Sequence, residues 1–485
     1  MPLGLSLGSS LGRFGRIRAG RVALALLLGA AVVAVLLLRF KIIGTWRAPA
    51  GDGVGYYQLA QELRLHGRLA FGPPPTPLSH ARLPGYPLFL SYLAAPRAPI
   101  GLGQHLLLAV PWNVWLDLGS ALLVALIVAE MGLPLVGGAL AFLAVMLCPI
   151  LVFLSCYGLT ESLATFLATL QLYLMVRALR RPQAGLAVAI AAGAVTGLAQ
   201  LVRIDAVAML PVCLLALGLG AAPLRTRIKR VTAFALMALV VFAPWPVRNL
   251  RQFGQPHLFG TTWLRQDGTP MPLGMLRWMR TWGTGEPGQS FLIFLAANNL
   301  AFDPERPGVM TPPMFDDADE RRRIAEIFRR QTVERMSPAV DAAYNTLADE
   351  RARRAPFRTY VTLPLRRLRN LWQPMPEADL PMRVPFLRLP DRRAQYGETE
   401  QRLWLVCLAG GLLLLRRRDT RGYVGLVLVA VVTRCLIHIY AHPFPVQRYL
   451  AESVPAMLSL LAGWATLGAG PRGQPEAQAI ETAPR

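Results

Sequence analysis

Apolar runs of about 20 residues recur along this chain. A run of that length crosses the hydrocarbon core of a bilayer as an α-helix. No water reaches that core, so each spanning segment must pair its own backbone amides and carbonyls. This constraint predicts an all-α polytopic membrane protein. Composition agrees: 54% of residues are hydrophobic and 16% charged, where soluble domains carry roughly 25% charged residues. Spans are expected near 22–43, 106–130, 134–155, 160–178, 185–203, 205–221, 230–247, 402–415, 422–440 and 448–468, about ten in all. The apolar stretch Val22–Leu38 follows Arg13, Arg16, Arg18 and Arg21. It exceeds the roughly 7–15 apolar residues of a cleaved signal, so it is read as the first span.

Charge orients the bundle. Arg13 to Arg21 assign the N-terminus to the cytoplasm, and alternation then brings three more connections inside. These are Arg177–Arg181, Arg225–Arg230 and Arg416–Arg421, all short and basic, as the positive-inside rule requires. The expected organisation is a cytoplasmic segment 1–21 and a transmembrane core 22–247 whose first outer loop is 44–105. A periplasmic loop domain 248–401, C-terminal transmembrane helices 402–468 and a disordered cytoplasmic tail 469–485 complete it. Net charge is +23. Basic connections and contact with anionic membrane lipid account for it, so no nucleic-acid partner is expected. The five cysteines lie in or beside apolar segments without a CxxC spacing, and read as small core residues.

In this topology, ionisable residues from distant parts of the chain meet at the outer ends of the spans. Charge is costly near lipid, so such a set marks either snorkelling or function. Asp52 and Arg82 lie in the first outer loop, and Glu161 opens the fourth span. Arg203 and Asp205 follow the fifth, Arg248 and Asn249 end the seventh, and Arg448 precedes the last. Bland readings stand beside these. Arg82 and Arg448 would also serve as interface anchors, Glu161 as an acid on a helix N-terminus, and Arg203 with Asp205 as an isolated pair. His438 and His442 read as surface histidines, and Asp317-Ala318-Asp319 as a helix cap. The outer segment should hold helices from about Asp316 to Met336, Ala339 to Arg353 and Thr359 to Trp372, the last lying at the membrane surface.

An acid among several arginines at a lipid boundary suits transfer from a lipid-phosphate donor. Guanidinium groups bind phosphate through paired, charge-assisted hydrogen bonds and stabilise it as it departs. Asp52 is placed to accept a proton from an attacking hydroxyl or amine.

A family resemblance supplies the group transferred. It rests on Asp52-x3-Tyr56-x3-Ala60, the run Arg82-Leu83-Pro84-Gly85-Tyr86-Pro87-Leu88-Phe89-Leu90 and Thr160-Glu161-Ser162-Leu163. Leu201-Val202-Arg203-Ile204-Asp205, Pro244-Trp245-Pro246-Val247-Arg248-Asn249 and Arg448-Tyr449-x5-Pro455 complete it. In this order the chain resembles bacterial members of the GT-C glycosyltransferase superfamily. It is similar to the protein O-mannosyltransferase and lipid A aminoarabinose transferase group (glycosyltransferase family 39-like).

The resemblance implies a GT-C-type helical bundle with an outer-face loop domain, in a bacterial inner membrane, with its active site facing the periplasm. It implies an inverting glycosyltransferase that uses a polyprenyl-phosphate sugar and a glycan, lipid or protein acceptor. The family's first-loop acid falls on Asp52, as catalytic base, and its fourth-span acid on Glu161. Arg82, Arg203, Arg248 and Arg448 are the expected donor-phosphate ligands. Tyr56, Tyr57, Tyr86, Asn249 and Asp205 are the expected substrate contacts. Gly53 follows Asp52 where some relatives have a second acid. His80 and Ala81 precede Arg82 where some carry an acid that helps hold a metal. No metal or other cofactor is therefore expected, although a divalent cation is compatible with the chemistry. The alternative is a transporter or flippase of lipid-linked glycans, which would hold ionisable residues near the midplane in paired repeats. A polymerase or ligase acting on a diphosphate donor is a third reading.

Overall fold

The computed structural model describes residues 29–30, 32–40, 52–80, 82–93, 102–181, 185–219, 222–254, 256, 258, 273–285, 313–334, 336–373 and 393–467. For Asp52, 102–107 and 393–400 it describes the backbone alone. Most of the expected first span, the cytoplasmic segment 1–21, residues 374–392 and the tail from 468 lie outside the described residues.

Among the described residues the chain is all-α, with the apolar helices of a polytopic membrane protein. In chain order its helices are α1 (32–40), α2 (Asp52–His66), α3 (Gly85–Leu93), α4 (Leu102–Glu130), α5 (Leu135–Leu147), α6 (Pro149–Ser155), α7 (Glu161–Arg180) and α8 (Gly185–Val202). A 3-10 turn, Ile204–Met209, leads into α9 (Leu210–Gly218), followed by α10 (Leu224–Phe242), α11 (Pro244–Phe253) and α12 (Leu273–Arg280). Then come α13 (Ala318–Glu334), α14 (Pro338–Arg354), α15 (Leu363–Leu371), α16 (Arg393–Leu415), α17 (Arg421–Ala441) and α18 (Val454–Ser459).

Four helices are long and apolar enough to cross a bilayer: 108–130 of α4, α7, α8 and α17. Two bent pairs, α5 with α6 at 50° and α10 with α11 at 40°, raise this to six among the described residues. Both bends fall where proline removes a backbone donor, at Pro149 and Pro244. Segments 204–218 and 401–415 are shorter apolar helices. The expected last span is broken into 3-10 turns around α18.

One continuous core joins α4, α5, α7, α8, α9, α17 and α18, with Val124, Ile127, Phe142, Leu172, Val212 and Leu458 all buried. The opposite faces expose apolar residues such as Leu236, Leu239 and Val240 on α10 and Leu428 and Val432 on α17. Apolar side chains on both faces are what a helix between protein and lipid carries. Small residues set the tightest contact: a Cβ at Gly193 or Gly197 of α8 would lie 2.3 or 2.7 Å from a carbonyl oxygen of α10. With no hydrophobic drive between helices in lipid, such close backbone approach supplies the association.

α12, α13 and α14 build a separate small core. Trp278 packs against Trp282 and Tyr344 with ring centroids 5.3 Å apart in each case. Trp282 reaches Phe444 at 5.4 Å, which ties this core to the connection between α17 and α18. Asp317 caps α13, its Oδ1 accepting from the Glu320 amide at 2.8 Å, so the Asp-Ala-Asp run is a cap as expected. The surface helix expected at 359–372 is a π turn at Arg358–Thr362 running into α15.

Candidate functional site

The site begins with α7. Glu161 is its first residue and is buried. Thr160 donates to Glu161 Oε2 at 3.3 Å and accepts from Arg203 Nη1 at 2.9 Å. Arg203 ends the extended step between α8 and the 3-10 turn, which aims it across the ends of the spans. Its Nε and Nη2 each donate to a separate oxygen of Asp205 at 2.9 Å. Its Nη1 lies 3.3 Å from Glu161 and its Nε 2.9 Å from Glu452. Arg203 thus meets three carboxylates, each buried.

A second guanidinium stands behind these acids. Arg434, on α17 and 1% exposed, reaches Asp205 at 3.2 Å and also pairs with Glu452. His438, one turn on, has Nε2 3.2 Å from Asp205 Oδ2, and its ring stacks on Tyr449 at 4.9 Å. Arg448 lies 3.9 Å from Glu161 and 5.5 Å above the Tyr449 ring. Isolated charges of this kind would be very costly to bury. Here three acids and three guanidinium groups compensate one another across the ends of α7, α8 and α17 and the turn before α18.

The surface-histidine expectation fails. His438 is 5% exposed and faces Asp205. His442 is half-buried, its Nδ1 accepting from the Phe444 amide at 3.2 Å. Both rings pack against Tyr449, at 4.9 and 5.1 Å, rather than standing in solvent.

The segment carrying α2, Arg82 and α3 covers the same end. The Arg82 motif packs through Gly85 onto the last residues of α8: a Cβ there would lie 2.7 Å from Leu201 O. Arg82 stands 5.0 Å over the Tyr56 ring, which meets Tyr86 edge-on at 5.2 Å. Tyr86 is wholly buried, and its hydroxyl has no hydrogen-bond partner among the described residues. Burial pushes its phenol pKa up, and the nearby charge of Glu161 adds to this. Tyr57 is buried beside it, in the same apolar cluster as Val202 and Ala206.

Arg248 donates to Ser79 O and to Asn249 Oδ1, each at 2.9 Å. It lies over Trp245 and Phe253 at 5.4 and 5.2 Å. This joins the end of the α10–α11 pair to the loop three residues before Arg82, with Asn249 fully buried. Asp52 is the first residue of α2, one turn before Tyr56, and its side chain lies outside the described residues.

The expected residues fall into two groups. Glu161, Arg203, Asp205 and Arg448 form the buried network. Arg82, Tyr56, Tyr57 and Tyr86 line the loop above it, with Arg248 and Asn249 at the edge of that loop. Sequence reading missed Arg434 and Glu452, and also the buried pair of Arg39 with Asp117. Arg39 Nε donates to Met146 O at 2.8 Å, at the C-terminal end of α5 where the break before Pro149 leaves carbonyls without helical donors. Arg434 and Asp117 each sit inside an apolar run, and an ionisable residue there was the available signal. Among the described residues, no group of three His, Cys, Asp or Glu side chains is arranged to hold a metal ion.

No family model matches the chain, and no curated protein matches it. Solved structures do. The archaeal oligosaccharyltransferase AglB from Archaeoglobus fulgidus, in complex with an inhibitory peptide and a dolichol-phosphate, is 16% identical with a TM-score of 0.48. That match covers 90% of this chain and 50% of the other, so the chain spans about half the length of that transferase. ArnT from Cupriavidus metallidurans, bound to undecaprenyl phosphate, is 17% identical with a TM-score of 0.39, covering 92% of this chain and 78% of its own. Both are similar at the level of helical architecture.

Proposed function

We propose that the chain is a membrane glycosyltransferase that moves a sugar from a polyprenyl-phosphate donor to a glycan, lipid or protein acceptor, with the donor phosphate held at the outer ends of the spans. The observation that carries this reading is the convergence of Glu161, Arg203, Asp205, Arg434, Arg448 and Glu452, drawn from four parts of the chain, beneath the loop that bears Arg82. In this reading the site faces the periplasm of a bacterial cell, because the basic connections assign the other ends of the spans to the cytoplasm.

Arg203 already meets three carboxylates. It therefore serves the phosphate indirectly, by fixing Glu161 and the outer end of α8. Direct phosphate contacts fall to Arg82 on the loop, Arg248 at its edge and Arg448 in the turn before α18, each over an aromatic ring, with Arg448 also 3.9 Å from Glu161. A guanidinium braced on a ring keeps its planar fork oriented for phosphate oxygens. Tyr56 and Tyr86 form the wall beside Arg82, and Tyr57 and Asn249 brace that wall from within. Asp52, at the start of α2, takes the proton of the acceptor as the bond from sugar to phosphate breaks.

The test is Asp52→Asn in purified protein, supplied with a radiolabelled polyprenyl-phosphate sugar and membrane acceptor. Loss of a general base predicts a fall of about 10²–10⁴-fold in transfer, with an unchanged melting profile. Normal transfer by the variant would sink the catalytic assignment.

A further inference from the structure

A cavity of about 180 Å³ lies where the small α12–α14 core meets the end of α17. Arg277, Arg280, Arg367, Thr359, Tyr360 and Tyr440 line it. Three guanidinium groups at one cavity are an expensive arrangement. Arg277 is compensated, with Nη2 2.5 Å from Asp349. Arg280 and Arg367 have no carboxylate partner among the described residues. Arg280 donates to Tyr440 O at 3.4 Å. Arg367, 2% exposed, gives Nε to Gly283 O at 2.9 Å and Nη1 to Ile439 O at 3.1 Å, and also donates to Arg280 O. Backbone carbonyls orient these cations without neutralising them.

The setting identifies what would neutralise them. Tyr440 lies at the end of a membrane span. Beside it the segment from Phe357 into α15 exposes Phe357, Tyr360 and Leu365 at 58–70%, while Leu363, Arg367 and Leu371 on its other side are buried. An amphipathic segment next to a span, with aromatic and apolar residues outward, lies at the level of lipid headgroups. The cavity is several times the roughly 30 Å³ that one water occupies, which admits a phosphate group with part of its hydration.

We propose that this cavity is a second anion site, taking a phosphate group at the headgroup layer through the charges of Arg280 and Arg367. It is separate from the network around Glu161, and it holds whether or not that network performs sugar transfer. Burial, with the charge of Arg280 adding, brings the Arg367 guanidinium down to about 10; burial, with Arg277 adding, lowers Arg280. An anion in the cavity offsets the cost of burying these charges and the repulsion between them. The shared chemistry is a phosphate oxyanion, from a lipid headgroup or free in solution.

Full-length protein in detergent is exposed in one arm to phosphatidic acid, read by native mass spectrometry. In a second arm it is exposed to inorganic phosphate, read by calorimetry. The wild type should hold phosphatidic acid at least tenfold better than Arg280→Gln does, and Arg280→Lys should restore most of the difference. Ala352→Glu, which places a carboxylate in the cavity while keeping every arginine, should lose binding as Arg280→Gln does. Phosphatidic acid binding alone identifies the headgroup as the source; inorganic phosphate binding with the same dependence on Arg280 identifies a soluble one. Binding equal in all four proteins, or absent from the wild type in both arms, overturns the site.

Discussion

Arg203 and Asp205, two residues apart in sequence, share two hydrogen bonds of 2.9 Å. This fork also reaches Glu452 and Glu161, so the pair is the centre of a network rather than a closed unit. Removing Arg203 leaves Asp205, Glu161 and Glu452 with two guanidinium groups, Arg434 and Arg448, and with His438 beside Asp205. Breaking a buried pair by deleting one partner costs about 3–5 kcal/mol. Arg203→Ala should therefore cut the yield of folded protein and lower its melting temperature. Arg203→Ala with Glu452→Ala should be less unstable than the single variant, because one orphaned charge goes with its partner. A double variant that loses as much as the two single variants added together would show that the two residues do not share this interaction.

Arg39 and Asp117 make a second buried pair, between α1 and α4. Arg39 also donates to carbonyl oxygens of Val145 and Met146, so it serves both the acid and the broken end of α5. Arg39→Met should destabilise by about 3–5 kcal/mol through the stranded Asp117. Arg39→Met with Asp117→Leu should recover part of that loss but not all, since the two carbonyls remain without a donor. Thermal unfolding in detergent separates the cases. Full recovery in the double variant would show that the carbonyl contacts contribute nothing.

These two networks mark where sequence reading stopped. Arg203 and Asp205 were legible because they share one short connection and flank a helix break. Arg434 was not, although it interrupts the run Val431-Val432-Thr433-Arg434-Cys435. Its partner Asp205 lies 229 residues away, and only packing of α17 against the 3-10 turn brings them together. Asp117 was hidden in the same way inside α4. The helical class followed from run length alone. The bends at Pro149 and Pro244 had local causes in proline. The helices at 318–334, 338–354 and 363–371 were legible from apolar spacing and, for the first, from its cap, whereas the tie from Trp282 to Phe444 crosses too much sequence to be read.

Gly85 links the Arg82 loop to the network, because any Cβ there would meet the Leu201 carbonyl at 2.7 Å. Gly85→Ala should push the loop away from α8 and carry Arg82 and Tyr86 with it. Overpacking of this kind costs about 1–3 kcal/mol, which corresponds to about 5- to 140-fold if it falls wholly on donor binding. Under the proposed function, the expected signature is a raised KM for the polyprenyl-phosphate sugar with a smaller change in kcat. An unchanged KM would mean that the loop does not touch the donor.

Asp316 gives the α12–α14 core an acid-sensitive joint. Burial alone would raise its carboxyl pKa, but hydrogen bonds from Arg358 and the charges of Arg351 and Arg354 hold it below the usual carboxylate range. The Arg358 bonds are 2.8 and 2.6 Å, and Arg351 lies at 3.1 Å. A carboxyl lowered in the folded state stabilises it fully above the unfolded value of about 3.9. That contribution is lost as pH falls through the folded pKa, because protons then bind the unfolded chain first and the folded one last. Trp278 and Trp282 lie in the adjoining core and report its loosening. Acidification from about pH 5 towards pH 3 should shift tryptophan emission to the red in the wild type, across the range set by the ordinary carboxylate value. Asp316→Asn should be less stable at neutral pH and show a flatter dependence below about pH 5. The same acid slope in both proteins would place the sensitive carboxyl elsewhere.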